Sequence, residues 1–405
     1  MVVPELLRSD LQETCLAVKA QRFQEPAAHF LSQAIEPPTP AAVQAAVAKL
    51  KSLDAFTPDE KLTDLGRILA NMPVHPSLGK MIVLGIIFRC LDPMLLIAAL
   101  SNERSIFIKS IDGRSRAKEA RQAFAGYGSD HISFLKAFDE MRRRRDSHGF
   151  DSLRNYARSN FLRMESFRHI ERTAFQIETS LIASGLIPKR AARGGHAGGP
   201  QMNAAGIGGP DLNVNSQNYA LIRALLVSGL RPNLVAKTVG SLFRSPTEDK
   251  AIVQPSSFNA LKRNTKEGYA RGTLFTFTHL AKRPDNDVLF ICESTRVSPL
   301  VAMLFGGRLS LKGNTLTMDD WLPFSIRSDD SIQTARIILE LRKALDRLLM
   351  TAFRSLTSHR EDPNQPFLAD IPLVDQCSRH LSELLEIENE NEQNKEDVRA
   401  MRSQG

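Results

Sequence analysis

Residues able to do chemistry are plentiful in this chain, but few stand at the spacing that chemistry requires. A nucleotide phosphate cradle needs two glycines framing a loop, then Lys and a Ser or Thr. The nearest approach is Leu78-Gly79-Lys80-Met81, which lacks the earlier glycine and the hydroxyl, so Lys80 is read as structural. No Asp-Glu-Ala-His run is present to hold magnesium, and no QRxGRxGR run to supply arginine fingers. These absences predict no ATP hydrolysis by this chain alone. There is no GxSxG elbow and no HExxH, and the nine histidines are scattered without ligand spacing, so no catalytic residue and no metal ligand is assigned. His75, close to Pro73 and Pro76, is read as a structural loop residue. The pairs Asp319-Asp320 and Asp329-Asp330 stand beside turns or a helix start, where carboxylates cap backbone N–H groups. Cys15, Cys90, Cys292 and Cys377 lie far apart with no CxxC pair, which argues against zinc or a disulfide framework and for a reducing compartment, cytosolic or nuclear.

Charge is more informative. The net charge is +8, and residues 101–200 alone hold 19 Lys/Arg against 11 Asp/Glu, so that segment carries the whole excess. A localised basic surface attracts phosphates, which points to nucleic acid, with a solvated basic helical face as the alternative. The run Arg142-Arg143-Arg144-Arg145 is the most conspicuous cluster. Consecutive arginines on a helix point in all directions, so they cannot all meet one ligand. The choice lies between a solvated helix end and a phosphate contact or nuclear localisation signal.

The elements that must position these groups fall into a mainly α chain with a C-terminal β-barrel. At 42% hydrophobic and 24% charged residues, 405 residues suffice for two to four domains. Leu7, Leu11, Cys15 and Val18 share a helical face, and Thr39-Pro40 opens a second helix as N-cap and first turn. Two short extended pieces around Pro58-Asp59-Glu60 complete an expected winged helix over 1–75. Residues 76–190 are expected to form a helical bundle; its apolar runs Met81–Phe88 and Leu91–Leu100 are broken by Arg89, Asp92 and Pro93, too short to span a bilayer, so no membrane is implied. The N-terminus lacks a secretory signal pattern. Residues 191–216, with seven glycines between Gly194 and Gly209, are expected to be a disordered insertion. Short runs rich in β-branched and aromatic residues, Ala251–Phe258, Gly272–Leu280, Val288–Glu293 and Leu309–Thr317, predict a small barrel within 217–353, closed by an amphipathic helix from Asp330 to Phe353. The extension 354–405 turns acidic after residue 382 and is expected to be frayed.

Several runs resemble the region C-terminal to the motor in DEAH-box RNA helicases of the RNA-helicase-A-like branch. They begin with Pro4-Glu5-Leu6-Leu7-Arg8, Leu16-Ala17-Val18-Lys19, Phe30-Leu31 and Glu36-Pro37-Pro38. Leu62-Thr63-Asp64-Leu65-Gly66-Arg67, Met72-Pro73-Val74-His75-Pro76 and Gly79-Lys80-Met81 are similar to that family's LTxLGxxLAxxPVxPxxGKM signature, and Cys90-Leu91-Asp92-Pro93 continues it. Val253-Gln254-Pro255-Ser256-Ser257-Phe258, Thr295-Arg296-Val297-Ser298-Pro299 and Leu304-Phe305-Gly306-Gly307 resemble its OB-fold. The match covers about residues 4–353. The resemblance implies a winged helix, a helical ratchet domain and an OB-fold that guide single-stranded RNA beside a RecA-like helicase core. ATP and Mg are then expected only in motor domains outside this sequence, with no cofactor in this chain. It further implies RNA contacts at Ser256 and Ser257, with Gln254 standing where the family usually has His, and Lys262, Arg263, Arg271 and Thr295 as further candidates. The serines' other role would be strand-end hydrogen bonding. Two readings remain: an RNA-binding accessory part of a helicase, whose motor half precedes Pro4, or a stand-alone RNA-binding or scaffold protein that docks on a helicase core or ribonucleoprotein.

Overall fold

A computed structural model describes residues 5–388 apart from 9, 22, 24, 102, 109–113, 189–205, 262–267, 284–285, 314, 327–329 and 363–375, together with residue 390. The chain opens with α1 (Glu5–Arg8), α2 (Gln12–Ala20), α3 (Ala27–Ser32), α4 (Pro40–Ser52) and α5 (Asp64–Leu69). Thr39 caps α4 by accepting from Ala42 N, with Pro40 in the first turn, and Thr63 caps α5 by accepting from Gly66 N. The two expected extended pieces meet in a single antiparallel bridge between Phe56 and Leu62.

Next come α6 (Pro76–Ile87), α7 (Leu91–Leu100), α8 (Arg114–Gln122), α9 (Asp130–Ser159), α10 (Met164–Ala183) and α11 (Tyr219–Gly229). Every residue of α7, and every residue of α6 except Ser77, is buried. A helix apolar all round belongs in the middle of a core, and these two are the centre of this one. Lys80 is among those buried residues. Its ammonium donates to Leu53 O at 2.9 Å and to Asp54 Oδ2 at 3.1 Å, tying α6 to the segment after α4. Burial lowers its pKa to about 8, against the raising pull of Asp54. His75 is the N-cap of α6, with Nδ1 accepting from Ser77 N. Within α9, Gly149 adopts a left-handed φ of 76° and breaks the helix. The halves fold back on each other, since the Arg144 guanidinium lies 5.0 Å from the centroid of the Tyr156 ring.

The described part of the glycine-rich segment corrects the expectation of disorder. Residues 206–216 are ordered against the bundle, whereas 191–205 lie outside the described residues. Ile207 and Leu212 are buried. Ile207 N donates to Asp92 Oδ1 at 2.9 Å, Gly208 N to Glu178 Oε1 at 2.9 Å, and Asp92 N to Asn213 Oδ1 at 2.8 Å. Gly206 and Gly208 have φ of 78° and 91°, and a Cβ would press on Asp92 at one and on Leu91 at the other. These glycines serve close approach, which composition alone reads as flexibility.

The same carboxylate resolves the arginine run. Arg142 is buried and forks onto Asp92, with Nη1 to Oδ2 at 2.6 Å and Nη2 to Oδ1 at 3.0 Å. Arg145 Nη1 donates to both oxygens of Glu171 at 2.8 Å, and Arg143 and Arg144 bond Glu140. The run is neither a solvated helix end nor an open phosphate site: all four guanidiniums meet carboxylates.

The barrel comprises β1 (Leu234–Lys237), β2 (Phe243–Arg244), β3 (Ala251–Val253), β4 (Leu274–Arg283) and β5 (Asn286–Val297), closed in the order β1-β2-β3-β5-β4. β3 pairs with β5 in parallel and the other ladders are antiparallel. Val235, Phe243, Ala251, Val253, Phe275, Phe277 and Ile291 fill it as a core separate from the main one. The expected strand Ala251–Phe258 ends at Val253, because Ser257 N turns back to Gln254 O. After α12 (Pro299–Phe305), β6 (Leu309–Lys312), β7 (Thr315–Met318) and β8 (Leu322–Phe324) form their own sheet, so the run Leu309–Thr317 is a hairpin outside the barrel. α13 (Ser331–Glu361) outlasts its expected end at Phe353, with Leu356 and Thr357 buried and Thr357 Oγ1 donating to Asp64 O at 3.4 Å. Residues 376–388 are helical, with Leu381 and Leu385 buried, which corrects the frayed reading up to Glu388. Among the described residues, no helix is long and apolar enough to cross a membrane.

Two neighbours in the arginine run should differ sharply. Arg142→Ala strands the Asp92 carboxylate in the core and is expected to lower unfolding free energy by about 3 kcal/mol or more. Arg143→Ala, at an exposed pair, should change it by no more than about 0.5 kcal/mol. Urea denaturation of both variants checks this, and equal effects would contradict the buried pairing.

Candidate nucleic-acid interface

Ser129, Asp130 and His131 begin α9, and all three side chains reach across to the barrel. Ser129 caps the helix by accepting from Ile132 N at 3.1 Å, and its hydroxyl lies 2.7 Å from Thr295 Oγ1. Asp130 fills both oxygens: Oδ1 accepts from Phe258 N at 2.6 Å, and Oδ2 from Ser257 Oγ at 2.6 Å, Ser294 N at 2.8 Å and Ser294 Oγ at 3.2 Å. Burial pushes this carboxyl above the usual range, opposed by the Ser257, Phe258 and Ser294 donors. His131 is fully enclosed, with Nδ1 at 2.7 Å from Thr295 Oγ1 and Nε2 at 3.0 Å from Thr278 Oγ1. Desolvation lowers its pKa to about 4, so it is neutral at pH 7. Gly128 O accepts from Arg296 N at 2.8 Å and extends the joint.

This joint redistributes the residues expected to touch RNA. Thr295 is corrected: it is wholly buried, and Ser129 and His131 share its hydroxyl, so no ligand reaches it. Ser257 directs its hydroxyl to Asp130 and holds the turn, in line with its alternative role. Gln254 donates its backbone N–H to Ile291 O at 3.1 Å and is half-buried. Ser256, at the crest of the same turn, is half-buried, and its hydroxyl has no partner among the described residues. Arg271 is exposed but stands apart. It precedes the end of β4 that pairs with Val297, whereas Gln254 sits beside Ile291, on the order of 20 Å along β5 at the rise of an extended chain. Lys262 and Arg263 lie outside the described residues.

Several residues of this interface were missed in the sequence. Asp130 and His131 follow a Ser in an N-cap position, a pattern that reads as an ordinary helix start. Arg121 stacks its guanidinium 4.1 Å from the Phe258 ring centroid and 5.2 Å from that of Phe107. Glu293 has a left-handed φ of 52° inside β5, and burial raises its pKa against a hydrogen bond from Thr278. No spacing signal marks any of these, because each depends on a partner more than a hundred residues away or on local backbone. Among the described residues, no group of three His, Cys, Asp or Glu is placed to hold a metal ion.

With this geometry in place, comparison with known proteins gives two matched family models. Residues 50–74 match the winged-helix part, and residues 75–152 the ratchet-like part, of the helicase associated domain HA2. The chain is 31% identical over 366 residues to the ATP-dependent DNA/RNA helicase DHX36 of Bos taurus, covering 87% of this chain and 33% of the relative. It is 32% identical over 356 residues to the DExH-box ATP-dependent RNA helicase DExH1 of Arabidopsis thaliana, covering 86% and 32%. The putative ATP-dependent RNA helicase DHX57 of Mus musculus is 30% identical over 380 residues, covering 87% and 27%. The chain thus spans about a third of the length of these relatives.

The buried histidine sets a pH dependence. An unfolded chain protonates His131 near pH 6.5, but the folded chain only near 4, so its contribution to stability is complete above 6.5 and is lost as pH falls toward 4. The advantage of wild type over His131→Gln in unfolding free energy should shrink by up to about 3 kcal/mol across that window. Urea titrations at stepped pH test this; a pH-independent difference would mean the ring protonates freely.

Proposed function

Because this chain corresponds to the C-terminal region of the DEAH-box helicases, with the winged-helix and ratchet-like parts of the helicase-associated domain, we propose that it is their RNA-binding accessory module. In this reading it guides single-stranded RNA past a RecA-like core, joined in cis or met in trans, in the cytosol or nucleus. ATP and Mg belong to that core, and this chain hydrolyses nothing by itself.

The observation that carries the proposal is the turn 254–258 at the barrel's edge. Asp130 fixes it from beneath through Ser257 and Phe258, which leaves the Ser256 hydroxyl available for a ligand. The barrel itself supports an OB-fold reading: five strands close in the order β1-β2-β3-β5-β4 with β3 parallel to β5. Barrels of that kind bind single strands by combining basic groups with stacking and hydroxyl contacts. The printed names of the relatives, which call them RNA or DNA/RNA helicases, point the same way.

The expected behaviour is salt-sensitive binding of single-stranded RNA, with log affinity falling linearly in log salt. ATP turnover should stay at background with or without RNA. Fluorescence anisotropy with a labelled single-stranded RNA, beside a phosphate-release assay, tests both halves; no binding in low salt overturns the RNA reading, and turnover by the pure chain overturns the accessory one.

A further inference from the structure

The turn 254–258 has a neighbour that no sequence motif marks. Phe258 lies under Arg121 of α8, and the Phe107 and Phe258 rings meet edge-on with centroids 5.4 Å apart. This stack holds α8 against the barrel's edge. In α8, Ala117 is buried and Arg121 half-buried, one turn apart, so they mark the side of the helix that packs inward. Lys118, three residues before Arg121, stands on the flank nearer to it, and Arg116 stands on the opposite flank; both are exposed. Unlike the four arginines of 142–145, all matched by carboxylates, Lys118 has no ion-pair or hydrogen-bond partner among the described residues. An unmatched ammonium beside a polar turn is suited to a phosphate, which it meets as a point charge with three donors.

We propose that α8 is the second wall of the single-strand path, with Lys118 holding a backbone phosphate of an RNA whose adjoining nucleotide lies on the turn at Gln254 and Ser256. The assignment rests on the RNA-binding reading above and adds to it a specific phosphate contact on the ratchet side of the joint. The basic excess of residues 101–200 then acts through the short helix α8, while the arginine run is neutralised inside the bundle.

The test measures affinity of the full chain for a labelled oligouridylate across a salt series, for wild type, Lys118→Ala and Arg116→Ala, with thermal melts of each. Loss of one single-strand phosphate contact should lower the log–log salt slope by about 0.7 for Lys118→Ala. Affinity at low salt should fall several-fold, with an unchanged melting temperature. Arg116→Ala, one equal charge on the other flank, should leave the slope as in wild type. Equal effects of the two variants, or a wild-type slope in Lys118→Ala, overturn the contact while leaving RNA binding intact. Failure of wild type to bind any RNA overturns the reading beneath it.

Discussion

A carboxylate held between two bodies governs how this molecule is arranged. Asp130 stands at the head of α9 and takes four hydrogen bonds from Ser257, Phe258 and Ser294 of the barrel. A charge removed from water must find its donors or destabilise the fold, so these bonds are directional demands on the barrel's position. The barrel's own core is separate from the main apolar cluster, so apolar packing inside it leaves its orientation open. Polar bonds at the joint set it. Once Asp130 seats Phe258, the ring meets Arg121 and Phe107, and α8 is placed as well.

Charge in this protein works mostly inward. The segment with the whole net excess includes Arg142, whose fork onto Asp92 lies in the core, and Arg145, whose carboxylate is Glu171. Asp92 also accepts the backbone of Ile207, so one side chain binds α7, α9 and the ordered end of the glycine-rich segment together. Net charge is a sound guide to the kind of partner, since long-range attraction depends on the sum. It is a poor guide to the residues that meet the partner, which depend on which charges lack a local match.

Much of the fold was legible because it is written in local rules. Thr39, Thr63 and Ser298 cap the helices they precede, and the unbroken apolar runs of α6 and α7 form the core. β4 and β5 lie close to their expected places. The two-residue β2 is too short to show a period, and β3 stops at Val253 because of a turn whose stability comes from Asp130. The turn carrying Gln254 and Ser256 was identified by resemblance, yet the two best-placed hydroxyls there divide their roles in a way that spacing does not reveal. Ser257 and Thr295 face another domain, and nothing within their own strands says so. The glycine-rich segment misled for a related reason: composition reports the freedom of a chain in isolation, whereas Gly206 and Gly208 answer to the crowding of Asp92 and Leu91.

The ordered stretch from Gly206 to Asn218 also bears on the order in which the chain is made. Its bonds go back to Asp92 and Glu178, and forward from Asn215 to Ser378 and from Asn218 to Glu386. During vectorial synthesis the helices of the bundle emerge first, with Arg142 able to reach Asp92 but with Glu178 still lacking its Gly208 donor. The bundle is therefore completed by residues translated after it, and the C-terminal helix is the last latch. A ribosome paused before that latch would hold a bundle open along a single seam, at the place where Asn215 and Asn218 wait for their partners.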